Sequence, residues 1–427
     1  MRSRHFLLAT IDAGGTVPPA LGVAADLVRR GHQVRVLADP TVESSARAAG
    51  CSFTSWTEAP HFDTLDDQTT VLAAVEHGSP RQRLRAVSRF AGGRATRAFA
   101  NDILAATRSD PADGLLVEAA LPGILIGAEA SRLPCAALVP NLYPRPTRGL
   151  PPLTTAWSPG TGRFGHLRDA LALEVIGLAT RGLARPLNRI RAEYGLAPVA
   201  DLFAQQDHLS RVLVLSSANF DFPADLPVNV RYVGPQLDDP DWATASVDWR
   251  PPGAGPLVLV ALSSVYQRQS DVLRTVATAL SAIRVRAVIT TGRAVGPDEV
   301  PAASHIRVVR SAPHHDVLRE AAAVVTHAGH GTVMKALAAG VPLVCIPMGR
   351  DQHANTTRVL RLGAGVRVGK RRPAAVVEDA IRRVLSEPVF AASAASVAQM
   401  LAHEAATSPT ATDEAEAMVG ATSADGR

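Results

Sequence analysis

Thr326 to Val359 reads THAGHGTVMKALAAGVPLVCIPMGRDQHANTTRV, and its pattern decides the fold of the half in which it lies. The apolar run Ala322 to Val325 brings a buried strand up to His327, where Gly329 and Gly331 interrupt strand and helix patterns alike. Val333, Ala336, Leu337 and Gly340 then recur at helical spacing, with Lys335 on the other face. Gly340 ends that helix, Pro342 prevents its return, and Leu343 to Ile346 form the next buried strand. Strand, glycine turn, helix, strand is one βαβ unit of a parallel sheet. A glycine turn that feeds a helix start is also an anion site. Free N–H groups and the positive end of the helix dipole point at one spot, and without Cβ atoms a phosphate comes close.

Outward from this stretch the alternation repeats. The second half begins with a strand at 257–262, a turn at Ser263-Ser264, a helix over about 270–283, and strands at 285–289 and 306–309. The first half opens with strand His5 to Ile11, a glycine turn at Gly14-Gly15, a helix begun by Pro18 or Pro19 and ended by Gly31, and strand Gln33 to Leu37. Strands at 114–118, 135–140 and 212–216 follow, with helices at 122–131 and up to about Tyr194. Residues 52–100 lack alternation and read as loops and helices over a cleft; 141–165 reads as a proline- and glycine-rich loop.

The reading is an α/β protein of two facing, doubly wound, Rossmann-like domains. Residues 1–233 form the first and 256–389 the second, joined by an aperiodic linker at 234–255. Residues 404–427, without periodicity, are expected to be disordered. The βαβ start, with Asp39 after its second strand, would suit a dinucleotide fold, but no G-x-G-x-x-G turn is present and prolines occupy the close-approach positions.

Composition narrows the function. The 427 residues are 47% hydrophobic and 19% charged, with a net charge of +5 carried by scattered arginines. Dispersed charge and 4% aromatic content argue against nucleic acid as a partner. Three widely spaced cysteines, Cys51, Cys135 and Cys345, fit reduced, buried thiols in the cytoplasm. No stretch reads as a membrane span or signal peptide.

From His327 through Asn355 the chain resembles the nucleotide-sugar motif of the GT-B-fold, family-1 glycosyltransferases, in particular bacterial enzymes that decorate secondary metabolites of macrolide, enediyne and aromatic polyketide type. The matching residues are His327, Gly329, Gly331 and Thr332, then Asp351-Gln352 and Asn355. The resemblance implies that His327 bonds a diphosphate oxygen, that Gly331 and Thr332 hold phosphate, and that Asp351 with Gln352 grips sugar hydroxyls. It places Ser263 and Ser264 on the opposite phosphate-facing loop and His314, after Pro313, beside the nucleobase. His330 reads as an exposed residue of the helix turn. The same resemblance implies two GT-B domains with the acceptor in the first, the donor in the second, and a final helix at 390–403 packing back on the first domain.

Breaking a nucleotide-sugar bond requires neutralising the departing diphosphate, which preorganised donors at a helix terminus can do without a metal. The one D-x-D match, Asp239-Pro-Asp241, falls in the linker and reads as chance, so no metal ion and no cofactor beyond a TDP- or UDP-sugar is expected. The family's usual base, a histidine in the first glycine turn, is replaced by Thr16, whose hydroxyl is too weakly acidic for that role. Asp12 and Glu118, both at strand ends, remain as candidate bases, unless the acceptor is acidic enough to need none. The expected enzyme is an inverting glycosyltransferase acting on a lipophilic aglycone, with neither nucleic acid nor membrane as partner; the sequence allows a homodimer. Rival readings are a sugar-nucleotide epimerase or hydrolase of the same fold, and a nucleotide-binding protein that has lost its base.

Overall fold

Each half of the chain builds its own parallel sheet around strands too apolar to face water. The structure, a computed structural model, describes residues 3–240, 243, 248–263, 267, 269–293 and 295–425. In chain order the first half runs β1 (His5–Ala9), α1 (Val17–Arg29), β2 (Gln33–Ala38), α2 (Glu43–Ala48), β3 (Ser52–Ser55), α3 (Leu65–His77), α4 (Pro80–Ala91) and α5 (Gly93–Ser109). It continues with β4 (Gly114–Glu118), α6 (Pro122–Ala130), β5 (Cys135–Val139), α7 (Gly162–Glu193), β6 (Arg211–Val214) and β7 (Val230–Tyr232). The strand order is β3-β2-β1-β4-β5-β6-β7. Central β4 and β5 are buried at every residue, as parallel strands covered on both faces must be.

The second half runs β8 (Leu257–Ala261), α8 (Ser270–Ser281), β9 (Arg286–Thr290), β10 (Ile306–Val309), α9 (His314–Glu320), β11 (Ala321–Thr326), α10 (His330–Ala338) and β12 (Leu343–Cys345). After these come α11 (Gln352–Arg361), β13 (Gly365–Arg367), α12 (Ala374–Ser386), α13 (Pro388–Thr407) and α14 (Ala411–Asp425). Its order is β10-β9-β8-β11-β12-β13. In the first sheet the order reverses between β1 and β4, in the second between β8 and β11. At such switch points the loops leaving adjacent strand ends diverge and open a crevice. Asp12 and Thr16 follow β1, Glu118 ends β4, Ser263 follows β8 and His327 follows β11, so both crevices hold the residues singled out above.

The carboxyl-terminal reading needs correction. Residues 404–427 are not disordered over their described length: α13 runs on to Thr407, and α14 packs against α1, β4, β5 and β6. Ala411, Ala415, Met418 and Val419 form its buried stripe. Asp413 and Thr410 cap its start, and Arg30, His32 and Arg211 pair with Asp413, Glu416 and Glu414. Alanine and threonine dilute that stripe so far that no periodicity stands out. Nor does the helix at 390–403 lie on the first sheet. Ala394, Val397 and Leu401 join the core of the second, and Glu404 reaches across to Ser217, Asn219 and the Ala218 amide.

A buried ion pair and its surrounding hydrogen bonds fix the two halves to each other. Arg358 of α11 and Asp221 of the loop after β6 pair at 2.5 Å with side chains 2% and 1% exposed. The Tyr232 hydroxyl also donates to Asp221, and Arg361 donates to the carbonyls of 219–221. Among the described residues no single helix is long and apolar enough to cross a membrane.

Candidate functional site

The glycine turn after β11 is held in a conformation that few sequences tolerate. Ala328 has φ +66, a left-handed backbone normally left to glycine. Asn355, fully buried on α11, donates to the Ala328 carbonyl at 3.0 Å and to Asp351 at 3.0 Å, while the Ala328 amide donates to the Thr326 hydroxyl. Asn355 therefore builds the turn rather than facing a ligand. The first amide bonded back along α10 is Val333, to Gly329, so the N–H groups of His330, Gly331 and Thr332 have no carbonyl one turn behind them. A Cβ on Gly331 would meet nothing within 4 Å, and the residue is exposed. The helix start is thus an open cradle of amides.

His327 borders that cradle. Its ring lies against Gly329, where a Cβ would fall 2.5 Å from Nε2. Burial pushes its pKa down to about 4, opposed by a hydrogen bond to the Ala261 backbone and reinforced by Arg350. At neutral pH it is an uncharged imidazole. His314, the first residue of α9, is likewise pushed down to about 4 by burial and by Lys335, and its Nε2 lies 3.5 Å from the Thr290 hydroxyl.

The structure redistributes roles within the Asp351-Gln352 pair. The Gln352 amide oxygen accepts from the amides of Met348 and Gly349, at 2.7 and 3.0 Å, and its nitrogen donates to Gln267 at 2.9 Å. Gln267 is in turn bonded through its own amide to Gln269, which donates to the Ser263 carbonyl. Gln352 therefore ties the loop before α11 to the loop after β8, leaving Asp351 as the half-buried carboxylate of the pair. Asp351 immediately precedes α11 and makes no side-chain cap to it. Ser264 lies outside the described residues. His330 is buried, not exposed: its ring packs edge-on against Phe220 of the first half and lies 3.4 Å from Asn355.

In the first half, Asp12 and Glu118 occupy different environments. Asp12 lines a cleft of about 260 Å3 together with Gly14, Leu21 and Thr41 from its own half, Asp238 to Pro240 from the linker, and Arg293. Its oxygens accept from the Gly14 amide at 3.2 Å and the Thr41 hydroxyl at 2.9 Å. Glu118 is buried beneath the same turn. One oxygen accepts from the Thr10 hydroxyl at 2.8 Å and the Ile11 amide at 3.4 Å, and burial pushes its pKa up to about 7. Thr16 and Glu118 line one void of about 10 Å3, room for a water at most. Asp39, read as a ribose-binding position only in the rejected dinucleotide scheme, accepts from the Asp12 and Phe62 amides and stays buried.

Two contacts had no signal in the sequence. Lys335, assigned above to the outer face of its helix, pairs with Asp239 at 2.5 Å, and Asp239 also accepts from the His315 amide. The linker aspartate of the D-x-D match is thereby committed to a lysine; Asp241 lies outside the described residues. Among the described residues no three histidines, cysteines or carboxylates gather as a metal site.

Comparison with known proteins agrees with this geometry. Residues 196–410 match the family model described as "UDP-glucoronosyl and UDP-glucosyl transferase". The chain is 30% identical over 406 residues to 4'-demethylrebeccamycin synthase of Lentzea aerocolonigenes, covering 92% of this chain and 94% of that one. It is 22% identical to UDP-glucosyltransferase avaP of Aspergillus versicolor, with 90% of each covered. Among solved structures, the glycotransferase of kitacinnamycin aligns with a TM-score of 0.72 at 22% identity over 98% of both chains. Glycosyltransferase VinC in complex with DTDP aligns with 0.66 at 18% identity, over 98% of this chain and 100% of that one. The architecture is GT-B over nearly the whole length. With its open amide cradle at a switch point and its relatives on both measures, the chain belongs to the UDP-glucoronosyl and UDP-glucosyl transferase family of glycosyltransferases.

Proposed function

We propose that this protein is an inverting, metal-independent glycosyltransferase that moves a sugar from a TDP- or UDP-sugar to a lipophilic natural-product aglycone, in the cytoplasm and with no cofactor. The observation that carries the donor side is the unobstructed helix start at His330 to Thr332 beside a neutral, buried His327. Three amides and the helix dipole stabilise a departing diphosphate there without a cation. The Asp351 carboxylate, pinned by Asn355, is the group of the motif left to take sugar hydroxyls. The natural-product acceptor is supported by the likeness to 4'-demethylrebeccamycin synthase over nearly the whole chain. Attack from the first lobe on a sugar held by the second comes from the face opposite the diphosphate, hence inversion.

Two carboxylates compete for the base. Asp12 has access to the cleft; Glu118 has a pKa near the operating range but sits under Thr16. Separate Asp12→Asn and Glu118→Gln variants, assayed for transfer with UDP- and TDP-sugars against a panel of phenolic and indolic acceptors, assign the role. Product analysis by NMR reads the anomeric configuration, and a retained configuration or an EDTA-sensitive rate sinks the proposal. Thr16 in the histidine position favours one other reading, a nucleotide-binding partner without turnover. That reading requires nucleotide binding by calorimetry with no product from any acceptor.

A further inference from the structure

Among the described residues, the buried side chains of the 32-residue helix α7 all fall in its last third: Ala184, Leu187, Ile190 and Arg191. In its last turns Leu187 and Ile190 pack with Ala100, Ile126 and Val199, and buried Arg191 forks onto both oxygens of Glu129 at 2.7 and 2.9 Å. Pro186, inside the helix and without an N–H to donate, marks where that anchoring begins. Ahead of it, Phe164, Leu167, Leu171, Val175 and Leu178 are all more than half exposed, from 56% for Leu167 to 73% for Phe164. At ~100° per residue these five point within about 40° of the direction of Leu171 and form one narrow stripe. Side chains of this size, so exposed, present on the order of 600 Å2 of apolar surface, the top of the range that monomers leave uncovered.

The stripe has the same apolar pattern read from either end. Leu167 and Val175 stand four residues on either side of Leu171; Phe164 and Leu178 stand seven on either side. A second copy laid antiparallel, with the twofold axis through Leu171, sets Leu171 against itself, Leu167 against Val175 and Phe164 against Leu178. Every layer is then apolar on both sides, which is the self-complementarity an isologous interface demands. Of the charges at its rim, Arg168 pairs with Asp169 at 2.6 Å and Arg181 with Glu174 at 3.6 Å, and Arg163 lies over the ring of Phe164. In this register Arg168 and Glu174 of the second copy, three residues on either side of the axis, lie at the same level, so opposite charges share a layer at the rim. Two such faces remove on the order of 1,200 Å2 from water, the lower end for a stable association.

We propose that the protein forms a homodimer through the 164–178 face of α7, antiparallel about Leu171. The proposal is independent of the donor chemistry, so the two stand or fall separately.

Sedimentation velocity of the full chain is expected to show twice its 44.8 kDa, and Leu171→Glu a single copy with unchanged circular dichroism. The register is read by cysteine. Leu171→Cys is expected to link two copies under mild oxidation, because the axis brings residue 171 opposite itself within disulfide reach. Cys51, Cys135 and Cys345 are buried and do not compete. Phe164→Cys alone is expected not to link, and Phe164→Cys with Leu178→Cys is expected to link. A wild-type monomer at every concentration, a dimer that survives Leu171→Glu, or Phe164→Cys linking as readily as Leu171→Cys overturns the proposal. So does a single chain that instead co-sediments with phosphatidylcholine vesicles.

Discussion

Replacing Gly331 with alanine separates folding from donor binding more sharply than removing a polar group. Gly331 is the second residue of α10, its φ is not in the left-handed region, and an added Cβ meets nothing within 4 Å. For the free protein the substitution is therefore favourable, since alanine loses less backbone entropy than glycine in a helix, by about 0.5–1 kcal/mol. In a domain of this size such a gain raises Tm by about 1–4 °C. For a bound diphosphate the same methyl stands where the phosphate oxygens approach the amides. The expected result is a protein with higher Tm and donor affinity at least ~10-fold weaker, a loss of about 1.4 kcal/mol or more. A thermal-shift titration with UDP and TDP reads both, because a ligand stabilises in proportion to RT ln(1 + [L]/Kd). Gly329→Ala is the contrasting control. There the Cβ falls 2.5 Å from the His327 ring, so folding is expected to lose about 1–3 kcal/mol. If Gly331→Ala binds UDP or TDP as tightly as the wild type, the cradle is not where the diphosphate lies and the donor assignment fails.

The remaining predictions concern pH and the lock between lobes. Glu118, raised to about 7 from 4.5, favours its protonated form in the folded state. Its contribution to stability is complete below pH 4.5 and is lost as pH rises through 7, by about 3 kcal/mol, and Glu118→Gln is expected to flatten that slope in urea unfolding. If Glu118 is also the base, transfer rises to a plateau above about pH 7, and an unshifted profile in Glu118→Gln would assign the role to Asp12. His327, lowered to about 4 from 6.5, works in the opposite sense. Its contribution is present above pH 6.5 and lost as pH falls toward 4, again by about 3 kcal/mol, with His314 adding a similar slope; the comparison is acid unfolding of His327→Asn. Arg358→Met strands the Asp221 carboxylate in the interface and is expected to cost about 3–5 kcal/mol, partly recovered by adding Asp221→Asn. Additive effects in that cycle would show that the pair does not couple the lobes.

Much of the architecture is local chemistry and was legible as such. The runs VVTHAGHGT, LVLVALSS and GLLVE state their strands by unbroken apolarity, and the glycine and proline that follow state where chain direction changes. Short strands such as Ser52–Ser55, Val230–Tyr232 and Gly365–Arg367 escaped, being three or four residues long at or near sheet edges, where the partner rather than the pattern makes the strand. Helix α14 escaped for a related reason. Its stripe of Ala411, Ala415, Met418 and Val419 carries little hydrophobicity by itself and becomes a helix because α1 and the first sheet offer a surface to cover.

By itself the sequence determined two parallel sheets, the loops at their carboxyl ends, and the turn at Gly329 and Gly331, because apolar runs, missing Cβ atoms and helix starts act over a few residues. Only the tertiary structure decided which polar residues are left open and which hold the site together. Gln352 and Asn355 belong to the recognised motif yet spend their amides on neighbouring loops, Lys335 turns from the outer face of its helix to Asp239, and Arg358 closes on an aspartate 137 positions away. A buried polar group must find a partner wherever the fold brings one, and sequence spacing does not say which one that is.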